Sequence, residues 1–352
     1  MNSSLTNPEF REENTSVPDV SRLSRWLHDN VEGFRPPLSV AQIAGGQSNP
    51  TFRLTAGSGD YILRRRPIGN VLPSAHAVER EFRVLSALAQ TDVPVPQVYG
   101  LCTNDGVIGS TFFVMAFVPG RIFWDARLPE LTSKERAAIF DSMNEVVAKI
   151  HSLDPDSVGL NDFGRKGAYL ERQIARWSKQ HRASETTPNP AMDRLIGWLE
   201  THSPPEGDTR LVHGDYRLDN LIIHPTEPRV AAVLDWELST LGDPIADFAY
   251  HAMNWRIAPE LFRGLAGIHY AALGIPDEET YLLTYLARTG RTRPKHWEFY
   301  IVLSLFRIAA ILQGIAKRSS DGTASNADAA EVGAKAVPIS NLAWQLAQTV
   351  DQ

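Results

Sequence analysis

The sequence is poor in the features that mark secreted and nucleic-acid-binding proteins. Its 352 residues include one cysteine, Cys102, which cannot form an intrachain disulfide and indicates a reducing compartment. The 41 acidic residues outnumber the 35 basic ones, so the chain lacks the basic excess of nucleic-acid binders. We therefore expect no nucleic-acid partner and a cytoplasmic location.

Long uninterrupted apolar runs are also missing. The most apolar stretch, residues 299–316, is broken by Arg307 and Gln313 and falls short of the ~20 residues of a membrane span, so it predicts a buried helix and no membrane partner. Residues 1–20 have no apolar core and predict a mobile tail rather than a secretory signal. The remaining length suffices for two lobes, which we place at residues 21–118 and 119–352.

Residues 211–247 contain polar residues whose order indicates a reaction. His213, Asp215 and Asn220 follow the order H-x-D-x-x-x-x-N, and Asp235 follows the apolar segment 230–234. Phosphoryl transfer needs a carboxylate that orients the acceptor hydroxyl, with an amide oxygen and a second carboxylate that hold Mg²⁺. Asp215 suits the first role, and Asn220 and Asp235 suit the second if the segments 221–223 and 230–234 form an antiparallel hairpin. An HGD tripeptide alone is also typical of a helix cap or another metal site.

The segments HGDYRLDNLI and VLDWELSTLGDPIAD resemble the aminoglycoside phosphotransferase family, small-molecule kinases with a protein-kinase-like fold. They are most similar to the branch whose kinase-like domain is joined, in some relatives, to an acyl-CoA dehydrogenase. The resemblance implies a bilobal α+β fold, with an N-terminal antiparallel sheet lobe, a mainly helical C-terminal lobe, and ATP and Mg²⁺ as cofactors. It makes Asp215 the catalytic base, gives Asn220 and Asp235 to magnesium, and places Asp247 in a structural segment. We expect His213 to hold the loop rather than to transfer protons.

Residues 38–66 predict three strands joined by turns, the first of which is rich in glycine. Glycine lets a backbone approach a ligand closely, so this turn can place N–H groups over phosphates. Its candidate nucleotide-binding residues are Gly46, Ser48 and Asn49. Without its context such a turn is more often simply polar.

The third strand contains Ile62 and Arg64, which face the same side because side chains alternate along a strand. Kinase strands of the V-A-I-K pattern place an apolar residue and a cation in this way, so Ile62 would contact adenine and Arg64 the phosphates. The usual cation is lysine. Arginine can bind phosphate through two N–H groups, but it is longer and planar, so the exchange is not conservative. A solvated basic strand end is the alternative.

The helix predicted next should supply a carboxylate to this strand cation. Its apolar stripe consists of Val78, Phe82, Leu85 and Leu88. The family resemblance favours Glu81 as the partner of Arg64, and Glu79 is the alternative, since we place both acids outside the stripe. The same resemblance implies that the backbone from Ala116 to Val118 bonds the edge of adenine.

Two further segments bear on the second lobe. Thr132 and Glu135 form a capping box that should begin a long helix with Ile139, Met143 and Ile150 on its buried face. Residues 319–336 are small and polar, which predicts a flexible loop before a last helix around residues 339–350.

The predicted function is ATP- and Mg²⁺-dependent phosphorylation of a hydroxyl group on a small molecule. Residues 251–300 contain six basic and five acidic residues, which argues against a polycationic aminoglycoside as the acceptor. The relatives joined to acyl-CoA dehydrogenases suggest a hydroxyacyl-CoA, although sugars and choline-like alcohols also suit the family.

Two other functions stay open. Arg64 and the short glycine turn are compatible with a nucleotide-binding pseudokinase or scaffold without turnover. His213, Asp215 and Asp235 could instead belong to a metallohydrolase, which would depend on zinc or manganese and need no nucleotide. No sequence feature indicates an oligomeric state.

Overall fold

A computed structural model describes residues 17–43, 49–68, 78–324 and 328–350. The chain divides into two compact units, Met1–Gly120 with Ala231–Glu237, and Arg121–Val230 with Leu238–Gln352. The sequence places a boundary after residue 118 and does not indicate that residues 231–237 return to the first unit. The predicted mobile tail, apart from its last four residues, lies outside the described residues.

The first unit is built on one antiparallel sheet. Its strands are β1 (Leu38–Gln42), β2 (Thr51–Ala56), β3 (Gly59–Arg65), β4 (Val98–Cys102) and β5 (Phe112–Ala116), and its helices are α1 (Val20–Asn30) and α2 (Val78–Leu88). The strand order is β1-β2-β3-β5-β4, and every pairing is antiparallel. The three strands and the helix α2 predicted from the sequence are present, and β3 is central.

Apolar packing fixes the position of β3. The helix α1 begins at Val20, where the side chain of Asp19 accepts the Arg22 N–H at 3.0 Å. Its buried residues Leu23 and Leu27 join Phe52 of β2, Leu63 of β3 and further apolar side chains in one core cluster. Because side chains alternate along a strand, this register turns Arg64, the neighbour of Leu63, to the other face of the sheet.

The second unit is mainly helical. Its helices are α3 (Ser133–Ser152), α4 (Tyr169–Ser184), α5 (Pro190–His202), α6 (Pro244–Ala252), α7 (Pro259–Phe262), α8 (Tyr270–Leu273), α9 (Glu278–Thr289), α10 (Trp297–Ser320), α11 (Ala329–Ala334) and α12 (Ala336–Val350). Short strands are β6 (Arg210–Val212), β7 (Leu221–Ile223) and β9 (Thr240–Gly242), and β8 (Val230–Val233) leads from this unit into the first. β6 and β9 pair antiparallel.

The long helices α3 and α10 form where the sequence predicts them. The capping box of Thr132 and Glu135 is present at the start of α3, and Ile139, Met143 and Ile150 are buried. α10 is long and apolar enough to cross a membrane by length and composition alone, but 83% of its most apolar window is buried inside the protein. It packs against α4, α6, α11 and α12, as a core helix does.

The flexible loop predicted for residues 319–336 is partly wrong. α10 extends to Ser320, and Ala329–Ala334 forms the helix α11. A Cβ on Gly333 would lie 2.6 Å from the Cα of Ala316, so the backbones of α11 and α10 approach closely. The small residues therefore permit tight helix packing here rather than flexibility.

Candidate active site

The loop after β6 places His213, Asp215 and Asn220 together. The Asn220 Nδ2 donates to the backbone oxygen of Asp215 at 2.8 Å and to its Oδ2 at 2.9 Å. Gly214 has a φ of +83°, and a Cβ on it would lie 2.6 Å from the Leu238 backbone oxygen. Glycine is therefore required at this turn, and the side chains of Asp215 and Asn220 hold a fixed relation to each other.

A buried carboxylate, Asp247 in the first turn of α6, holds this loop. It accepts the backbone N–H groups of His213 and Gly214, each at 2.8 Å, and lies 3.1 Å from the Nε2 of His151. Burial alone would raise the pKa of Asp247, but the hydrogen bonds from His151 and the backbone keep this pKa below its ordinary value. His213 Nδ1 in turn accepts the Asp215 N–H at 3.1 Å, a contact that supports the loop.

Cations keep Asp215 ionised in spite of its burial. Burial would raise its pKa, but the guanidinium groups of Arg217 and Arg307 and the hydrogen bond from Asn220 lower it, and the pKa lies below the ordinary value. The Arg217 Nε lies 3.3 Å from the Asp215 Oδ1. Asp215 is therefore a carboxylate at neutral pH, the form that accepts a hydrogen bond from a hydroxyl group.

Tyr250 and Arg307 contact the loop that contains Asp215, and the sequence did not single out either of them as a site residue. Tyr250 is buried, which raises its pKa to about 12, and its hydroxyl hydrogen bonds with the Asp215 carboxylate. The Arg307 guanidinium lies 4.0 Å from the centre of the Tyr250 ring and donates to the backbone oxygen of Gly214. Arg307 could have been found from the sequence as a cation within a helix predicted to be buried, because a buried charge needs partners.

In the first unit, Arg64 lies among three carboxylates. Its Nη1 donates to the Glu81 Oε1 at 2.6 Å, and its Nη2 to the Asp235 Oδ1 at 3.1 Å, with the Glu237 Oε2 at 3.9 Å. Burial raises the pKa of Glu81, and Arg64 opposes that effect. The same acids raise the pKa of Arg64, although burial would lower it. We take the contact to be an ion pair, because a 2.6 Å distance to a guanidinium strongly favours the carboxylate.

The expectation that both acids of α2 lie outside its apolar stripe is wrong for Glu81. Its side chain is 1% exposed and lies on the side of α2 that buries Val78 and Leu85. Arg64 is the partner that makes this burial tolerable. Glu79 is partly exposed and pairs with Arg66 at 2.7 Å instead.

The other candidate nucleotide residues of the first unit have varied surroundings. Ile62 is buried in β3, and Ala116 ends β5, where its N–H donates to the Gln97 oxygen at 2.7 Å. Val118 follows two residues later, and Asn49 is buried with its Nδ2 donating to Glu237 at 3.2 Å. Gly46 and Ser48 lie outside the described residues. The nucleotide contacts of all six stay predictions.

The two residues predicted to bind Mg²⁺, Asn220 and Asp235, each offer an oxygen of the kind that a hard cation prefers. Because the Asn220 amide nitrogen faces Asp215, its amide oxygen is directed elsewhere and is a suitable ligand. Asp235 has a left-handed backbone at φ +64° and a side chain that is 36% exposed, and such backbone outliers cluster at active sites. Within the described ranges no group of three or more His, Cys, Asp or Glu residues is arranged to hold a metal ion.

Comparisons with known proteins give a family match and several relatives. The family model described as "Phosphotransferase enzyme family" matches residues 39–295. Mouse acyl-CoA dehydrogenase family member 10 is 46% identical over 313 residues, which are 88% of this chain and 29% of that protein. Rat acyl-CoA dehydrogenase family member 11 is 40% identical over 340 residues, 94% of this chain and 43% of that protein. The chain thus spans less than half of the length of these curated relatives.

Solved structures share the fold. A crystal structure from Ralstonia eutropha JMP134, provisionally described as an aminoglycoside phosphotransferase, is 52% identical with a TM-score of 0.86, covering 94% of this chain and 99% of that chain. Choline kinase from Cryptosporidium parvum has a TM-score of 0.63 at 14% identity, covering 95% and 97%, which is a likeness of fold alone. The expected α+β kinase-like fold is confirmed.

Proposed function

Since the chain belongs to the phosphotransferase enzyme family, we propose that it transfers the terminal phosphoryl group of ATP to a hydroxyl group of a small molecule. The observation that carries the proposal is the ionised Asp215 held by Asn220 in the loop after β6. A base on which an acceptor hydroxyl is oriented needs this charge state and this fixed position. Because the transition state of phosphoryl transfer is loose, positioning and charge neutralisation supply most of the catalysis.

Each remaining polar residue then has a distinct task. Asn220 and Asp235 would hold Mg²⁺, which when bound neutralises phosphate charge. Arg64 would bind phosphate oxygens, and Glu81 fixes its guanidinium through the 2.6 Å ion pair. Asp215 accepts the hydrogen bond of the acceptor hydroxyl and then its proton, while Tyr250 and Asn220 keep the carboxylate in place.

For the acceptor we propose a hydroxyacyl-CoA. The support is the similarity to proteins named as acyl-CoA dehydrogenases, of which this chain spans a part. The six-to-five excess of basic residues in 251–300 carries little weight, because all five of the arginines there already have carboxylate partners. The pairs are Arg256 with Glu278 and Glu298, Arg263 with Asp219, Arg288 with Asp141, Arg291 with Asp208, and Arg293 with Glu279.

The central test is the substitution Asp215→Ala, assayed with ATP, Mg²⁺ and a panel of hydroxyacyl-CoA and other hydroxylated acceptors. Loss of a positioned base should lower turnover by ~10²–10⁴ while ATP binding is kept. Asp193→Ala, at an exposed position of α5, is the matched control and should change neither. Equal turnover in Asp215→Ala would remove Asp215 from catalysis.

Assays of the wild-type protein distinguish the proposed kinase from a pseudokinase and from a metallohydrolase. ATP binding without consumption in the presence of any acceptor would favour the pseudokinase. Zinc- or manganese-dependent hydrolysis without nucleotide would favour the metallohydrolase.

The metal assignment has its own test in Asp235→Asn. We expect weaker nucleotide binding in calorimetric titrations with Mg²⁺, because a charged ligand of the cation is lost. In EDTA the variant should bind ATP no more weakly than the wild type, since removing a carboxylate lowers repulsion of the phosphates. Unchanged titrations under both conditions would exclude Asp235 from the metal site.

A further inference from the structure

A chain of ion pairs leads outward from Asp215 within the second unit. Arg217 lies 3.3 Å from the Asp215 Oδ1 through its Nε and 2.8 Å from the Asp219 Oδ2 through its Nη2. The Arg263 Nη1 lies 2.7 Å from the same Asp219 oxygen. One carboxylate is therefore shared by two guanidinium groups, and the second of these, Arg263, is 38% exposed.

An exposed indole lies beside the outer guanidinium. The Arg263 Cζ is 4.8 Å from the centre of the Trp124 ring and 5.5 Å from that of Phe262. Trp124 is 62% exposed, and Ile122, two residues before it, is 44% exposed. A cation over a solvent-facing indole presents a charged group and a flat apolar face at one place, which suits a ligand with both properties.

The backbone at Arg263 is held in an uncommon conformation. Its φ is +48°, in the left-handed region that non-glycine residues rarely adopt. A Cβ on the next residue, Gly264, would lie 1.7 Å from the Ile257 oxygen, so the turn packs directly on the backbone of Ile257. The guanidinium is thus presented by a fixed turn rather than by a freely moving loop.

The charge at the exposed end of this chain of ion pairs decides which ligand fits. The charged groups named around the loop balance, with the cations Arg217, Arg263 and Arg307 and the anions Asp215, Asp219 and Asp247. Of these six groups the Arg263 guanidinium is the one whose side chain is more than a third exposed, so an anion is attracted there. Asp219 occupies one edge of the Arg263 guanidinium, which has five N–H donors in all.

We propose that Arg263 and Trp124 form a subsite for the phosphate-bearing carrier part of an acyl thioester acceptor. A phosphate group binds the Arg263 guanidinium, and a flat or apolar part of the carrier lies on the Trp124 indole. This inference rests on the proposed function, which places the acceptor hydroxyl at Asp215. Arg217 and Asp219 link Arg263 to the base, so the subsite and Asp215 belong to one network of paired side chains.

The test compares two acceptors that differ only in the carrier. One is a hydroxyacyl-CoA, and the other is the same hydroxyacyl group as an N-acetylcysteamine thioester, which has no phosphate. Arg263→Gln should lower the ratio of kcat/KM for the CoA thioester to that for the phosphate-free thioester by about ten-fold or more, because a charge-assisted hydrogen bond is lost. Trp124→Ala should lower the same ratio. Arg293→Gln, another exposed arginine paired with a carboxylate, is the control and should leave the ratio unchanged.

A second readout separates this inference from the proposed function. Free CoA, which carries no hydroxyacyl group to phosphorylate, should bind the wild type in calorimetric titrations and bind Arg263→Gln about ten-fold more weakly. If the wild type phosphorylates neither thioester but this difference in CoA binding is found, the subsite stands and the proposed acceptor class fails. An equal loss for both thioesters, a rise in the KM for ATP instead, or equal CoA binding by wild type and variant overturns the subsite.

Discussion

The buried ion pair of Arg64 and Glu81 makes a quantitative prediction about stability. In Arg64→Met the Glu81 carboxylate, 1% exposed, keeps the Trp236 N–H but loses its cation. Removing one partner of a buried pair typically costs ~3–5 kcal/mol of unfolding free energy. Glu81→Met should cost less, about 1–2 kcal/mol, because Arg64 keeps Asp235 at 3.1 Å and Glu237 at 3.9 Å.

The double variant distinguishes the cost of burying an unpaired charge from the simple loss of the contacts between Arg64 and Glu81. Two methionines fill a similar volume without charge, so Arg64→Met with Glu81→Met should be close to the wild type, which makes the coupling energy about 4–7 kcal/mol, the sum of the two single costs. The assay is urea unfolding of the four proteins without Mg²⁺ or nucleotide, followed by hydrogen exchange of β3 and α2 to localise the loss. The half-exposed pair of Arg66 and Glu79, 2.7 Å apart, is the matched control and should contribute only ~0–1 kcal/mol. A cost for Arg64→Met no larger than that for Arg66→Met would refute the reasoning.

Two further predictions concern α6. Tyr250→Phe removes the hydroxyl that binds Asp215, so turnover should fall by up to about ten-fold with unchanged ATP affinity, and steady-state kinetics showing no decrease would contradict this role. Burial lowers the pKa of His251 from 6.5 to about 4. Between pH 6.5 and 4 the His251 imidazole is protonated in the unfolded chain and neutral in the folded chain. The contribution of His251 to the free energy of unfolding is therefore complete above pH 6.5, and this free energy should fall by ~3 kcal/mol as the pH drops to 4. His251→Phe should make Tm less dependent on pH in this window, and an unaltered dependence would count against His251 as its source.

Local patterns in the sequence predict much of the fold, because their causes are local. The strands around β3 and the capping box of α3 depend on residues close together in the chain. The orientation of Glu81 could also have been predicted from the sequence. With 3.6 residues per turn, Glu81 lies between Leu85 and Leu88 around the axis of α2. A charged residue is rare on a buried helix face, and Glu81 is tolerated there because Arg64 pairs with it.

The rest of the site depends on packing between distant segments. Arg307 reaches the loop from α10, and the residues it contacts, Gly214 and Tyr250, come from two other segments. No spacing in the sequence links them, because their approach follows from how α10 packs on α6. Composition also misled for α11, where Ala and Gly suit both a flexible loop and a tightly packed helix.

The return of residues 231–237 to the first unit has a consequence for how the chain matures during synthesis. A nascent chain that has emerged only to Gly120 holds all five strands of the sheet but lacks Asp235 and Glu237. In that chain Arg64 has Glu81 as a partner but not Asp235 or Glu237, and Glu81 lacks the hydrogen bond from the Trp236 N–H. The ribosome must therefore synthesise residues 121–230 before Asp235 and Glu237 can join the first unit. A first unit obtained by cutting the chain at residue 120 would lack both of these carboxylates.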